Sequence, residues 1–243
     1  MIKISFLSII ILFSAFMAEK SYNYIVFGKF IRVPFTGIQL AGNLIYVSSS
    51  KDSIFLSDLT ERRLFIKMMS AAEKGGTALN TFQPLGKESF INHYRKSMNS
   101  IYWEIIYNTF RNEYPLQKQP DLWINIDKTT LSITKNLISQ KREAIFRLYL
   151  ENIYYGLGGM VGFWGNLSIL LYLICLFIKG NHKNETIFLL FAIICHLLNT
   201  AFVALVEPVT SRYIFYTEIL LFVVTSSILL SLIEHKDLSK PGV

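Results

Sequence analysis

The chain has 243 residues, 52% hydrophobic and 17% charged, with a formal net charge of +7. That length fits one or two domains, while soluble domains carry about a quarter of their residues charged. The charge is also segregated. Residues 19–147 hold 18 Lys/Arg against 11 Asp/Glu, the whole excess of +7, and the flanks are balanced apolar runs. That split argues against an ordinary soluble protein.

The chain opens with Met1-Ile2-Lys3 and the apolar run Ile4–Ala18, the layout of a signal peptide or an anchor. Cleavage needs small residues at the last and third-last positions. Phe16 stands third-last before Ala18, and Phe13 before Ala15. Residues 1–18 are therefore expected to be an uncleaved anchor helix.

Residues 19–150 read as a basic, mostly helical domain with a short extended start. Ile25–Val33 and Ile38–Val47 are rich in β-branched and aromatic residues, with Pro34 and Gly37 marking a turn between them. A first helix opens at Asp58 and Glu61, carries Leu64, Phe65, Met68, Met69 and Ala72 on one stripe, and stops at Gly75-Gly76. That methionine-rich stripe is expected to be core. A second helix runs from about Glu88 to Arg111, with Phe90, Tyr94, Met98, Ile101 and Ile105 on one face. Pro115 and Pro120 bound the next loop. A third helix starts near Asp127 as N-cap and carries Leu131, Leu137, Ile138 and Ile145 toward the membrane. Tyr149, Tyr154 and Tyr155 would sit at headgroup level, where tyrosine is enriched.

Three long apolar segments follow. Leu157–Ile178 carries no charge and would be about 33 Å long as a helix, close to the roughly 30 Å hydrocarbon core. Thr186–Val206 carries His196 and Asn199, and Tyr213–Ile233 carries Glu218. The fold expected is mainly α: a multi-span membrane helical bundle over residues 151–233, a mostly helical extracytoplasmic domain, and a cytoplasmic tail at 234–243. Orientation follows from the short loops. With Lys3 inside, Lys179, Lys183, Lys236 and Lys240 also face the cytoplasm, and only Arg212 does not. Residues 19–150 then lie outside.

Several motifs in the spans call for weighing. Gly156-Leu157-Gly158-Gly159-Met160-Val161-Gly162 has the wrong spacing for a dinucleotide loop and follows no strand. Gly158 and Gly162, continued by Gly165, read instead as a packing face for another helix. His196 and Asn199 share a helix face, suited to an interhelical hydrogen bond or to a polar cavity; Glu218 is the third intramembrane polar group. Cys175 and Cys195 read as small apolar packing residues. No Cys, His, Asp and Glu set has metal-ligand spacing, so neither a metal nor a cofactor is expected.

The stretch from Glu207 through Pro208, Arg212 and Tyr213 to Tyr216 forms a tight outer turn between two spans. It reads either as an ion pair with aromatic anchors or as a phosphate site on Arg212. Glu207…Arg212-Tyr213, opening a late span, resembles an element in the C-terminal half of bacterial polyprenol-phosphate-dependent glycosyltransferases of the GT-C type. Leu131–Ile153, a basic amphipathic stretch feeding a span, is similar to their late extracytoplasmic segments. The resemblance covers the last half of the chain. It implies a bacterial inner-membrane location and a lipid-phosphate contact through Arg212, Glu207 and Tyr213. Those enzymes have more spans and an acidic pair in their first outer loop. Here that loop opens Glu19-Lys20-Ser21-Tyr22, and Asp58 and Glu61 serve a helix start. No catalytic residue is carried over. The chain is thus expected to be the C-terminal module of such an enzyme, inactive alone, with membrane lipid, a polyprenyl-phosphate-linked sugar and other membrane subunits as partners. Nucleic acid is not an expected partner. The alternative is a non-enzymatic membrane assembly protein acting through its outer domain; a small transporter or channel subunit has only the three intramembrane polar groups behind it.

Overall fold

The structure is a computed structural model and describes residues 14, 17–26, 28–31, 35–82, 89–180, 184–209, 217–220, 222–224, 226 and 228. It is mainly helical, with no strand among the described residues. The chain divides into two compact units, Met1–Arg142 and Glu143–Val243. Most of the anchor segment, the fourth apolar segment and the whole tail lie outside the described residues.

Unit 1 contains α1 (residues 17–26), α2 (Thr36–Val47), α3 (Leu59–Lys74) and α4 (Phe90–Asn99). α4 continues without a break as a π-helical segment, Ser100–Tyr107, and then as α5 (Asn108–Glu113). α6 (Asp121–Gly156) gives its first part to unit 1.

The expected extended start is overturned at Ile38–Val47, which lies within the helix Thr36–Val47; of Ile25–Val33, residues 25–26 close α1 and residues 28–31 form no regular element. β-Branched and aromatic content misleads at α2 because this is the buried helix of the unit. Nine of its twelve residues are buried, so it needs apolar groups all round, as buried helices do. Its small residues let neighbours approach. A Cβ on Gly42 would lie 2.1 Å from the Tyr102 ring, and one on Gly37 would lie 2.2 Å from the carbonyl oxygen of Asp127.

α3 forms as its pattern predicts. The Asp58 carboxylate accepts from the Glu61 amide at 2.8 Å, which satisfies one of the orphan donors of a helix start. Leu64, Phe65, Met68, Met69 and Ala72 are all buried, so the methionine face is core. On the second helix Tyr94, Met98, Ile101 and Ile105 are buried, and the cap is Ser89, which accepts from the Asn92 amide. Polar contacts tie α4 to α2: Tyr94 donates to Asn43 at 2.6 Å, and the Tyr46 hydroxyl meets His93 Nδ1 at 3.0 Å and donates to the Phe90 carbonyl at 3.2 Å. Glu113 receives both Arg63 and Lys67 at 2.5 Å, joining α5 to α3.

The third predicted helix starts earlier than Asp127, at Asp121. Asp127 is not its cap. Its carboxylate accepts from the Gly37 amide at 2.5 Å and caps α2 instead. The buried face of α6 in this unit is Leu122, Ile126, Thr130, Ile133, Thr134 and Leu137, whereas Ile138 is exposed. The two threonines turn their hydroxyls onto the Ile126 and Thr130 carbonyls and so need no other partner.

The segment joining α2 to α3 is held by carboxylates. Asp52 accepts from the Ser49 amide at 2.7 Å and pairs with Lys141 at 2.7 Å. Glu73 accepts from the Ser50 hydroxyl at 2.7 Å, the Ser50 amide and Asn80. The Ser50 hydroxyl bond holds the Glu73 carboxyl below its ordinary value of 4.5, against the opposing effect of burial. A carboxyl depressed by folding stabilises the fold above its unfolded value, and that contribution is lost as pH falls through the folded value. Unit 1 should therefore weaken as pH drops below about 4.5. Glu73→Gln should flatten that acid limb in melts followed by circular dichroism, while an unchanged limb would remove Glu73 as its source.

Candidate functional site

Unit 2 contains the end of α6, α7 (Gly159–Ile178) and α8 (Asn184–Val206). α7 and the stretch Thr186–Val206 are long and apolar enough to cross a membrane. Their large apolar side chains point outward: Val161 is 86% exposed and Phe202 67%. A water-soluble protein rarely leaves such continuous apolar surface uncovered, so these faces fit hydrocarbon. Between them Leu173, Ala192 and Ile193 pack with Val224 in a small buried cluster.

The predicted glycine packing face takes a different role. Gly158 and Gly159 have φ of +87° and +68° and form the turn between α6 and α7. That left-handed backbone favours glycine because it has no Cβ. Gly162 packs on the turn itself, where a Cβ would sit 1.7 Å from the Leu157 carbonyl oxygen; Gly165 faces open space. The close approach falls one turn earlier, at Gly156. A Cβ there would meet Val209 Cγ1 at 2.5 Å and Thr200 Cγ2 at 3.1 Å.

That approach is fastened by a residue the sequence reading passed over. Asn152 is fully buried. Its Nδ2 donates to the carbonyl oxygens of Glu207 at 2.7 Å and Ala204 at 3.2 Å, and its Oδ1 accepts from the Val209 amide at 2.9 Å. One side chain thus satisfies late carbonyls of α8 and a turn amide, groups a helix end otherwise leaves unpaired. Tyr149, Ile153 and Val203 pack around Ala204 and Val209. The only sequence signal was an amide side chain in an apolar setting, Glu151-Asn152-Ile153-Tyr154-Tyr155.

The predicted site residues divide. Glu207 is half-buried and opens this fastened turn, and Pro208 and Val209 after it are buried. Arg212 and Tyr213 lie outside the described residues. His196, 2% exposed, and Asn199 converge on one hydroxyl: His196 Nδ1 meets Thr217 Oγ1 at 3.2 Å, and Asn199 donates to it at 3.3 Å. Glu218, half-buried, is the next residue. Eleven residues separate His196 from Glu207, about 16 Å of helix, so the polar cluster and the turn are two places. Tyr154 and Tyr155 are about one third exposed, while Tyr149 supports the turn. Beside them Phe146, Leu150, Tyr154 and Phe163 line an open groove of about 560 Å³, with Arg147 between Glu143 and Glu151 on its rim. Among the described residues no three His, Cys, Asp or Glu side chains converge as metal ligands would.

These features define a mainly helical protein with, among the described residues, two helices long and apolar enough to cross a membrane. No family model, curated protein or solved structure matches the chain.

Proposed function

We propose that the chain is the C-terminal module of a lipid-dependent membrane glycosyltransferase, and that the turn opening at Glu207 holds the phosphate of a polyprenyl-phosphate-linked sugar. In this reading the protein is a multi-pass inner-membrane protein with residues 19–150 outside the cytoplasm. One observation carries it: three hydrogen bonds from Asn152 fix the backbone where α8 ends, so the stretch bearing Arg212 and Tyr213 starts from a rigid post. A site whose first residues are held in place loses less freedom on binding. Arg212 would grip the phosphate through its planar guanidinium, which matches two phosphate oxygens at once. The module binds and orients the donor; the acid or base that moves the sugar would come from outside it.

Binding of a polyprenyl phosphate to the detergent-solubilised chain tests this. Arg212→Ala should weaken it about tenfold, the loss of one charge-assisted contact. Lys96→Ala, on the exposed face of α4, should leave it within about twofold, as a solvated charge would. Equal effects would remove Arg212 from the site.

A further inference from the structure

We infer that unit 1 seats itself on an anionic bilayer surface through an aromatic patch centred on Trp123. Two of the three tryptophans of the chain meet there. The Trp123 ring lies 5.1 Å from Phe35, 5.6 Å from Trp103 and 5.0 Å from Tyr107. Yet the cluster is not core: Trp103 is 49% exposed and Phe35 37%. The sequence spends unusual backbone on it. Trp103 and Tyr107, four residues apart, belong to the π-helical segment; such segments are rare and concentrate at functional sites.

The patch continues onto α1. Lys29 pairs with Asp121, two residues before Trp123, and the Lys20 ammonium lies 5.3 Å from the Phe30 ring. Phe30, just beyond α1, is itself exposed, as are Tyr22, Tyr24, Ile25 and Val26 on one broad face of α1, opposite Glu19, Lys20 and the buried Asn23. Such a broad apolar face left open does not suit a water-facing helix.

Two observations select a bilayer over a protein partner. α1 follows directly on the apolar run Ile4–Ala18, so the patch continues in sequence from a segment suited to hydrocarbon. The aromatic types are also those that settle at headgroup level, and the domain bearing them holds the entire +7 excess. Basic residues beside an anionic leaflet are drawn to it. This inference needs the membrane but not the phosphate site, and stands if that site fails.

The test reads Trp103 and Trp123 in the full chain, with Trp164→Phe removing the third indole. The protein is reconstituted in vesicles of phosphatidylcholine and phosphatidylglycerol brominated near the headgroup end of their acyl chains. Emission should fall by about half relative to unbrominated vesicles, as expected of rings at headgroup depth. Emission untouched by the bromolipid overturns the inference. It does so whether aqueous iodide quenches the rings, placing them in water, or fails to, placing them under protein. Should Trp164→Phe disturb α7, the same two indoles are read as the difference between the wild-type chain and Trp103→Phe/Trp123→Phe.

Discussion

Asn152→Leu is expected to cost about 3 kcal/mol of stability, because it strands three backbone groups at once. Leucine keeps the branching and heavy-atom count of asparagine with bulkier methyl groups, so the loss is mainly polar, with a smaller contribution from overpacking around Ala204 and Val209. The three groups are not equal. The Val209 amide belongs to a residue 1% exposed, and leaving a buried donor unpaired costs about 1–3 kcal/mol. The Ala204 and Glu207 carbonyls close a helix end, where carbonyls have more routes to other donors. Asn152→Asp sharpens the test. Its carboxylate still accepts from Val209 but turns negative charge on two carbonyl oxygens that lost their donor, so it should be at least as harmful. Denaturant titration of the chain in mixed micelles gives both values. A loss below about 1 kcal/mol for Asn152→Leu would mean that the fit of Val209 over Gly156 holds the turn, and the rigid post beneath the proposed phosphate site would go with it.

Elements whose cause is local were legible. α3 has its cap, its stripe and its glycine stop within one stretch of chain, so periodicity sufficed, and Thr186–Val206 needed only length and hydropathy. Elements made by distant partners were not. α2 looked like a strand because a helix buried on all sides shows no period, and its cap, Asp127, lies 90 residues away. Asp127 in turn was taken for the cap of its own helix, since a carboxylate near a helix start looks the same in sequence whichever helix it serves. Gly158 and Gly162 matched a packing motif by spacing alone, while left-handed backbone at Gly158 assigns it to a turn. In the candidate site the spacing of His196 and Asn199 put both on one face, but their shared partner Thr217 is a hydroxyl that any apolar helix tolerates. Asn152 was missed for the same reason as Asp127: its three partners sit 52 to 57 residues on.

Gly37→Val should destabilise unit 1 by about 4 kcal/mol, at the upper end of overpacking effects. The clash is with backbone. The new Cβ would lie 2.2 Å from the Asp127 carbonyl oxygen and 2.7 Å from Thr130 Oγ1, both on α6. A flexible side chain could swing away, but a carbonyl inside a hydrogen-bonded helix cannot. α2 must therefore retreat, and the Gly37 amide leaves the Asp127 carboxylate that caps it at 2.5 Å. Phe35, at the N-cap position, has no side-chain acceptor to take over. Valine gains only some tenths of a kcal/mol in helix propensity over glycine, because its branched side chain is stiff in a helix, and that does not offset the clash. Gly37→Ala separates the contributions: it makes the same Cβ contact but gains up to about 1 kcal/mol in helix propensity, so it should fall between wild type and valine. Asp127→Ala removes the cap without the clash and should cost only about 1 kcal/mol. Thermal melts of the three variants should rank them valine, then glycine to alanine, then the lost cap. Were Asp127→Ala as damaging as Gly37→Val, the carboxylate rather than the close approach of α2 to α6 would be what holds the buried helix in place.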